Sequence, residues 1–138
     1  MNTIARSNMI TGSCNCGAIK YQISGTIKKI VNCHCNLCRK MNGSAFSTYA
    51  AVLQSGFELI SGQLGCFKVS ENARKYFCNQ CVTPIYNMSS NYTGLNIVHL
   101  GSLDCAEILE PEVNIYDESK LQWLTDIGQL PTFEKSIK

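Results

Sequence analysis

Seven of the nine cysteines in this 138-residue chain fall into three short groups. Two groups have two members each, with the spacings C-x-C and C-x-x-C, and the third has the spacing C-x-C-x-x-C. The groups are Cys14 and Cys16, then Cys78 and Cys81, then Cys33, Cys35 and Cys38. A C-x-x-C turn can direct two sulfurs to one tetrahedral metal ion, and alternate residues of a strand share a face. We therefore expect the chain to fold around bound metal.

The rest of the sequence indicates that these thiols are reduced. The first thirteen residues lack the continuous apolar core of a signal peptide, and no apolar stretch is long enough to span a bilayer. An odd number of cysteines also argues against a disulfide framework. We therefore expect a cytoplasmic protein whose thiolates bind zinc, with an iron–sulfur cluster as the alternative.

Length and charge narrow the class of protein further. A chain of 138 residues fits a single domain over 1–138. The formal net charge of +2 is too weak a positive balance to predict a nucleic-acid partner or an anionic membrane. The expected partners are therefore small molecules, and the sequence leaves the oligomeric state open.

Short alternating segments predict a mainly β fold with antiparallel sheets. Residues 18–23 place Ile19, Tyr21 and Ile23 on one face, as in a half-buried strand. Further strands are predicted at 28–33, 44–53, 57–62, 65–70, 73–78, 84–89 and 95–103. Helical structure is predicted at 36–43, with Asn36 as N-cap and Gly43 as terminator, and at 117–124.

The three-cysteine group differs from the others in its number of ligands. Four sulfurs complete a structural zinc site, whereas three leave one position vacant. Seven clustered cysteines divide as four plus three, so the two pairs can form a closed site and the group at 33–38 an open one. The alternatives are that this group holds no metal, combines differently with a pair, or is completed by one of His34, Cys66, His99 and Cys105.

These four residues are weaker candidates as ligands. His34 lies between two cysteines on a predicted strand, so its ring is expected to point away from their sulfurs. Cys66 and Cys105 have apolar neighbours, which is typical of buried thiols that act as small hydrophobic residues. His99 is expected to be a strand residue with a hydrogen-bonded ring rather than a catalytic base.

Five segments in this order resemble the glutathione-dependent formaldehyde-activating enzyme family, which includes the centromere protein V-type domains. They are GSCNCGAIKYQI, CHCNLCRKMNGSAF, FELISG, KYFCNQC and LNIVHLGSLD, and the likeness covers about residues 10–134. The resemblance implies a β-tent fold of short antiparallel sheets pinned by zinc. It also implies two Zn²⁺ ions per chain, a structural one on Cys14, Cys16, Cys78 and Cys81, and a second, catalytic one on Cys33, Cys35 and Cys38.

The activity that the resemblance implies is that of a carbon–sulfur lyase, which reversibly joins glutathione and formaldehyde to give S-hydroxymethylglutathione. Arg39 and Lys40 directly follow Cys38 and are candidate contacts for the carboxylates of glutathione, and Ser44 and Ser47 are candidate hydrogen-bond partners of the substrate. An alternative function is that of a non-catalytic, zinc-stabilised binding module of the β-tent type, in which the cysteines serve only to hold the fold together.

One residue departs from the family pattern. Members usually have glycine directly after the last C-x-x-C, and this chain has Val82. Glycine there permits a positive φ, which a β-branched residue disfavours. We therefore expect the turn to differ, with Asn79 or Gln80 taking the strained conformation.

Overall fold

The computed structural model describes residues 9–137. Within them the strands are β1 (Ile10–Ser13), β2 (Lys20–Ile23), β3 (Ile27–Cys33), β4 (Ser47–Leu53), β5 (Phe57–Ser61), β6 (Leu64–Ser70), β7 (Ala73–Cys78), β8 (Pro84–Ser89), β9 (Leu95–His99) and β10 (Val113–Ile115). The α-helix α1 (Asn36–Asn42) lies between β3 and β4. In the described part of the chain no helix is long and apolar enough to cross a bilayer.

The strands form two sheets. The smaller has the order β1-β2-β5, and the larger has the order β10-β3-β4-β9-β8-β7-β6. Every named pair is antiparallel except β10 and β3, which are parallel. The prediction of a mainly β fold built from short antiparallel strands is confirmed.

Residues 18–23 supply part of the core, as their alternation predicts. Ile19, Tyr21 and Ile23 are fully buried, whereas Lys20 is exposed. The Tyr21 hydroxyl is hydrogen-bonded to the Ser102 hydroxyl at 2.6 Å, which satisfies its polar atom inside the core. This core joins the two sheets and holds the loops that carry the cysteines.

The structure departs from the predicted elements at both ends of the chain and after β9. The strands β1 and β10 were not predicted, and the strand predicted at 95–103 ends at His99, where a 3₁₀ turn over Leu100–Ser102 begins. The helix predicted at 117–124 is wrong: two separate 3₁₀ segments, Asp117–Ser119 and Gln122–Gln129, flank Lys120 and Leu121, which are both extended. Two extended residues interrupt the hydrogen bonds of a helix.

The helix after the three-cysteine group is capped by one of those cysteines. Asn36 is the first helical residue, so the prediction that it is the N-cap is wrong. The N-cap is Cys35, whose Sγ accepts a hydrogen bond from the Cys38 backbone N–H at 3.2 Å. Gly43 ends the helix in the left-handed conformation, with φ of 62°, as predicted. The cap therefore fixes the positions of two cysteine side chains relative to each other.

Candidate metal centres

The four cysteines of the two pairs meet in one cluster. The Sγ atoms of Cys14, Cys16, Cys78 and Cys81 all lie within 4.8 Å of one another. Cys14 directly follows β1, and Cys78 ends β7, so the cluster links the smaller sheet to the larger one. Cys14 and Cys78 are buried, Cys81 is half-buried and Cys16 is exposed.

The geometry of this cluster fits a tetrahedral zinc ion. Sulfurs about 2.3 Å from such an ion lie about 3.8 Å apart. The sulfurs of Cys14 and Cys16 are 3.6 Å apart, and those of Cys16 and Cys78 are 3.8 Å apart. Backbone N–H groups of Ile19 and Gln80 donate to the sulfurs of Cys14 and Cys78 at 3.2 and 3.3 Å. Such donors favour the thiolate form that a metal requires.

Thr83 connects the two halves of this cluster. Its Oγ1 accepts a hydrogen bond from the Asn15 backbone N–H at 3.1 Å and lies 3.1 Å from the Cys81 sulfur. Because the oxygen already accepts from Asn15, its own proton is free to donate to Cys81. Hydrogen bonds from the side chain and backbone of Thr83 lower the pKa of Cys81 to about 5. These hydrogen bonds favour the thiolate form of Cys81 that a metal ion requires.

Val82 takes the left-handed conformation itself, with φ of 68°. Among residues 9–137 the non-glycine residues with positive φ are Val82 and Tyr116, so the prediction that Asn79 or Gln80 is strained is wrong. The turn is held by the Val82 N–H, which donates to the Cys78 carbonyl at 3.0 Å. The Val82 side chain is 64% exposed, so its strain comes from its own backbone and not from crowding by neighbours.

The remaining three cysteines form a second cluster. The Sγ atoms of Cys33, Cys35 and Cys38 lie within 4.8 Å of one another. Cys33 ends β3, Cys35 caps α1 and Cys38 lies in the first turn of that helix. No other cysteine and no histidine or carboxylate of the described residues shares this group. The three thiols can hold a metal ion, and the described protein atoms supply three sulfur ligands rather than four.

The residues considered as a fourth ligand have other partners or positions. His34 is buried with its ring 5.2 Å from that of Phe46, and its Nε2 is 3.1 Å from Asn114 Oδ1. His34 is not part of the three-cysteine group, which agrees with the expectation that it is not a ligand. His99 is buried in β9 with Nε2 3.0 Å from Asn87 Oδ1, as predicted, and burial lowers its pKa to about 3.

The two isolated cysteines differ from expectation. Cys66 was predicted to be buried and is exposed, so that prediction is wrong. It lies on β6, which is the edge strand of the larger sheet. Cys105 is only half-buried. Apolar neighbours in sequence do not determine burial at an edge strand, because one face of such a strand can lie open to solvent.

A network of three side chains is hydrogen-bonded to the second cluster at Cys38. The Tyr49 hydroxyl donates to the Cys38 sulfur at 3.1 Å, and Asn42 Nδ2 donates to the Tyr49 oxygen at 3.2 Å. The Lys75 ammonium donates to Asn42 Oδ1 at 2.8 Å and to the Met41 carbonyl at 2.9 Å. Burial raises the pKa of Tyr49, so its hydroxyl keeps the proton that Cys38 accepts. This network could not be predicted from the sequence, because its members come from α1, β4 and β7.

The second cluster opens onto a cavity of about 510 Å³. Cys33, Cys35, Cys38 and Tyr49 contribute to its lining, together with aliphatic residues of β3, β4, β9 and β10. None of the four cysteines of the first cluster does so. A cavity of this volume is large enough for a small organic ligand. The two clusters therefore differ both in the number of sulfurs and in access to a ligand.

The predicted contacts for glutathione do not line this cavity. Arg39 directs its guanidinium toward the Ser119 carbonyl, 3.5 Å away, and Lys40 is exposed. The Ser44 hydroxyl donates to the Phe46 carbonyl, and Ser47 is buried and accepts from Asn42. The cations that do line the cavity are Lys28 and Lys29, which sequence reasoning did not select.

Comparison with known proteins agrees with these observations. The sequence profile of the glutathione-dependent formaldehyde-activating enzyme family matches residues 9–119. No curated protein matches the sequence at a significant level. Three chains of solved structures match significantly. One is the crystal structure of a Rhodobacter sphaeroides protein, a Northeast Structural Genomics target, with a TM-score of 0.61 and 19% sequence identity over 76% of this chain and 98% of that one. This likeness supports the fold.

Proposed function

Because the chain belongs to the glutathione-dependent formaldehyde-activating enzyme family, we propose that it is a zinc-dependent carbon–sulfur lyase. Its reaction is the reversible joining of glutathione, or a similar thiol, and formaldehyde. It carries two Zn²⁺ ions per chain, a structural one on Cys14, Cys16, Cys78 and Cys81, and a second one on Cys33, Cys35 and Cys38. Family membership supports an activity of the formaldehyde-activating type, and the residue roles come from the geometry of the two clusters.

The observation that carries the proposal is the position of the three-cysteine cluster at the wall of the cavity. A zinc ion with three protein ligands has one position for an external ligand. A bound Zn²⁺ ion at this site would supply positive charge that favours the thiolate form of a substrate thiol. The cavity gives a thiol access to the same point from solvent.

The reaction balances as an addition. The substrate sulfur forms a bond to the carbonyl carbon of formaldehyde, the carbon–oxygen double bond becomes single, and the thiol proton ends on the new hydroxyl. In this chemistry the protein binds and orients the two reactants at the cavity wall. Tyr49 acts as a positioning residue, since its hydroxyl donates a hydrogen bond to the Cys38 sulfur. No general base is assigned.

The proposal is tested by the exchange of ¹³C-labelled formaldehyde with S-hydroxymethylglutathione, measured by NMR with protein that contains two zinc ions. We expect the wild-type protein to accelerate the exchange and Cys35→Ser to leave it at the uncatalysed rate. Cys66→Ser is the matched control, because Cys66 is exposed and belongs to neither cluster. It should exchange at the wild-type rate. If fully loaded wild-type protein accelerates neither this exchange nor the corresponding exchange with the hydroxymethyl adduct of 2-mercaptoethanol, the non-catalytic binding module is favoured instead.

A further inference from the structure

The face of the larger sheet that forms the cavity floor has an unusual composition. An antiparallel sheet with one face toward solvent normally alternates apolar and polar residues. Here the aliphatic residues form the largest group in the cavity lining, and they are Val31, Ala51, Leu95, Ile97, Val113 and Ile115. The other lining residues are the three cysteines, Lys28, Lys29, Tyr49, Asn87, Ser89, Tyr92 and Tyr116. The opposite face of the same strands is also apolar, since Ile30, Ala50 and Val98 are buried. The central strands are therefore apolar on both faces.

In β9 one position departs from the usual alternation. Asn96 points into the core, where its Oδ1 is buried without a hydrogen-bond partner, whereas Ile97 lies on the cavity side. A sheet face that met only water would not require an isoleucine there. An aliphatic floor next to a cluster of thiols indicates that the cavity accepts an apolar group.

The cross-strand register shows how this floor is arranged. Lys29 pairs with Ala51, which pairs with Ile97, and Val31 pairs with Tyr49, whose hydroxyl contacts Cys38. The cysteines lie at one end of β3 and the two lysines at the other. The four-residue separation of Lys29 and Cys33 along the strand spans about 13 Å. The cavity is thus an elongated trough with sulfurs at one end, aliphatic side chains between, and cations at the far end.

The two cations of the trough have different partners. Lys29 is paired with Glu112, with Nζ and Oε1 3.7 Å apart. Among the residues that the structure describes, Lys28 is exposed and has no carboxylate within salt-bridge distance. Lys28 therefore offers a positive charge to a ligand that reaches the end of the trough.

From this arrangement we infer that the thiol accepted at the second cluster has an extended apolar body and ends in an anionic group. The inference rests on the proposed function and specifies its substrate class. Glutathione carries two carboxylates, an ammonium group and two amides along its length. The burial of such groups against aliphatic side chains costs free energy unless each is hydrogen-bonded. An ω-mercaptoalkanoate instead places sulfur, methylenes and carboxylate in the order in which the trough offers cysteines, aliphatic residues and lysine.

The experiment is calorimetric titration of protein that contains two zinc ions with 2-mercaptoethanol, glutathione, 4-mercaptobutanoate, 6-mercaptohexanoate and 8-mercaptooctanoate. We expect affinity to rise about twofold to fourfold for each methylene that enters the trough, so that the longest acid binds at least tenfold more tightly than the shortest. The longest acid should also bind more tightly than glutathione. A comparison of 8-mercaptooctanoate with 8-mercaptooctanol tests the role of the Lys28 charge. Lys28→Gln should weaken binding of the acid several-fold and leave binding of the alcohol unchanged.

Two variants test the floor of the trough. Ala51→Leu fills the space between Lys29 and Ile97 and should abolish the dependence on chain length while 2-mercaptoethanol still binds. Ile97→Asn makes the same floor polar and should have the same effect, which covers the case in which Ala51→Leu does not fold. Phe67→Asn is the matched control, because Phe67 is exposed on β6 of the same sheet and does not line the cavity.

The outcomes separate this inference from the proposed function. Thiol binding without dependence on chain length, tighter binding of glutathione than of the longest acid, or an unchanged length dependence in both floor variants would each overturn the inference and leave the proposed function intact. If no thiol binds, not even 2-mercaptoethanol, the proposed function fails and the inference fails with it.

Discussion

The two cysteine clusters of this protein are built from the same side chain and differ in their surroundings. The four-cysteine cluster joins two sheets and directs four sulfurs at one point. The three-cysteine cluster lies within one strand and the helix that follows it, and it forms part of the wall of a cavity. The first arrangement completes a tetrahedral site from distant parts of the chain, whereas the second is local and lacks a fourth protein sulfur. The comparison shows that the two clusters differ in the number of sulfurs they supply and in the elements they connect, and our proposal of a structural and a catalytic role is based on this difference.

The largest effect on folding is expected when one sulfur of the four-cysteine cluster is removed. Cys78→Ser removes a ligand that links the two sheets, and the domain should unfold because a structural zinc contributes about 10–16 kcal/mol to folding. Circular dichroism would show the loss of the β signal, and zinc analysis would show the loss of both ions. A Cys78→Ser protein that is folded and contains two zinc ions would show that this cluster is not needed for the fold.

Cys35→Ser should have a different effect. The variant keeps its fold, because Cys35 connects only β3 and α1, and a serine at the N-cap can still accept the Cys38 N–H. Zinc analysis should find one ion per chain in place of two, with an unchanged circular dichroism spectrum. If Cys35→Ser and Cys78→Ser unfold to the same extent, the distinction between the two clusters is lost.

A smaller effect is expected from Tyr49→Phe. This change removes the hydroxyl that donates to the Cys38 sulfur and leaves the ring in place. The loss of a group that hydrogen-bonds to a metal ligand typically lowers metal affinity about tenfold to a hundredfold. Competition with a chromogenic chelator should show weaker binding of one zinc ion and unchanged binding of the other. Tyr76→Phe is the control, because it also removes a tyrosine hydroxyl and leaves a ring that stacks on Tyr86. It should leave the affinity for both zinc ions unchanged. Equal affinities for wild type and Tyr49→Phe would exclude a positioning role for Tyr49.

The smallest effect is expected at the turn of the four-cysteine cluster. Val82 has a positive φ and an exposed side chain, so Val82→Gly should stabilise the protein by about 0.5–1 kcal/mol. For a chain of this size the melting temperature should rise by about 2–4 °C. Val82→Ala keeps the Cβ atom and should gain less. A lower melting temperature for Val82→Gly would show that the valine side chain contributes contacts that outweigh its strain.

The sequence was most informative where chemistry depends on neighbouring residues. The spacing of the cysteines predicted the division into four and three, and the family resemblance implied that the two distant pairs meet in one cluster. Alternation predicted the burial of Ile19, Tyr21 and Ile23. Elements that depend on distant partners were missed. The strand β10 has three residues and is held by parallel pairing with β3, which local alternation cannot reveal.

The cavity shows the same limit more clearly. Arg39 and Lys40 were selected because they follow Cys38 in sequence, yet α1 turns Arg39 toward Ser119 and leaves Lys40 exposed. Lys28, at the far end of β3, lines the cavity instead. Contact with a ligand is determined by the strand register and the direction of the helix, and neither follows from distance along the chain.

We propose that the second cluster holds a zinc ion with three protein sulfurs and room for an external thiol. Anomalous diffraction at the zinc edge, on crystals of the full chain grown with glutathione or an ω-mercaptoalkanoate, tests this proposal directly. We predict two zinc ions, one bound by four cysteines and one by Cys33, Cys35, Cys38 and a sulfur of the added thiol. A second ion already saturated by protein atoms, or no second ion in zinc-saturated crystals, would contradict it.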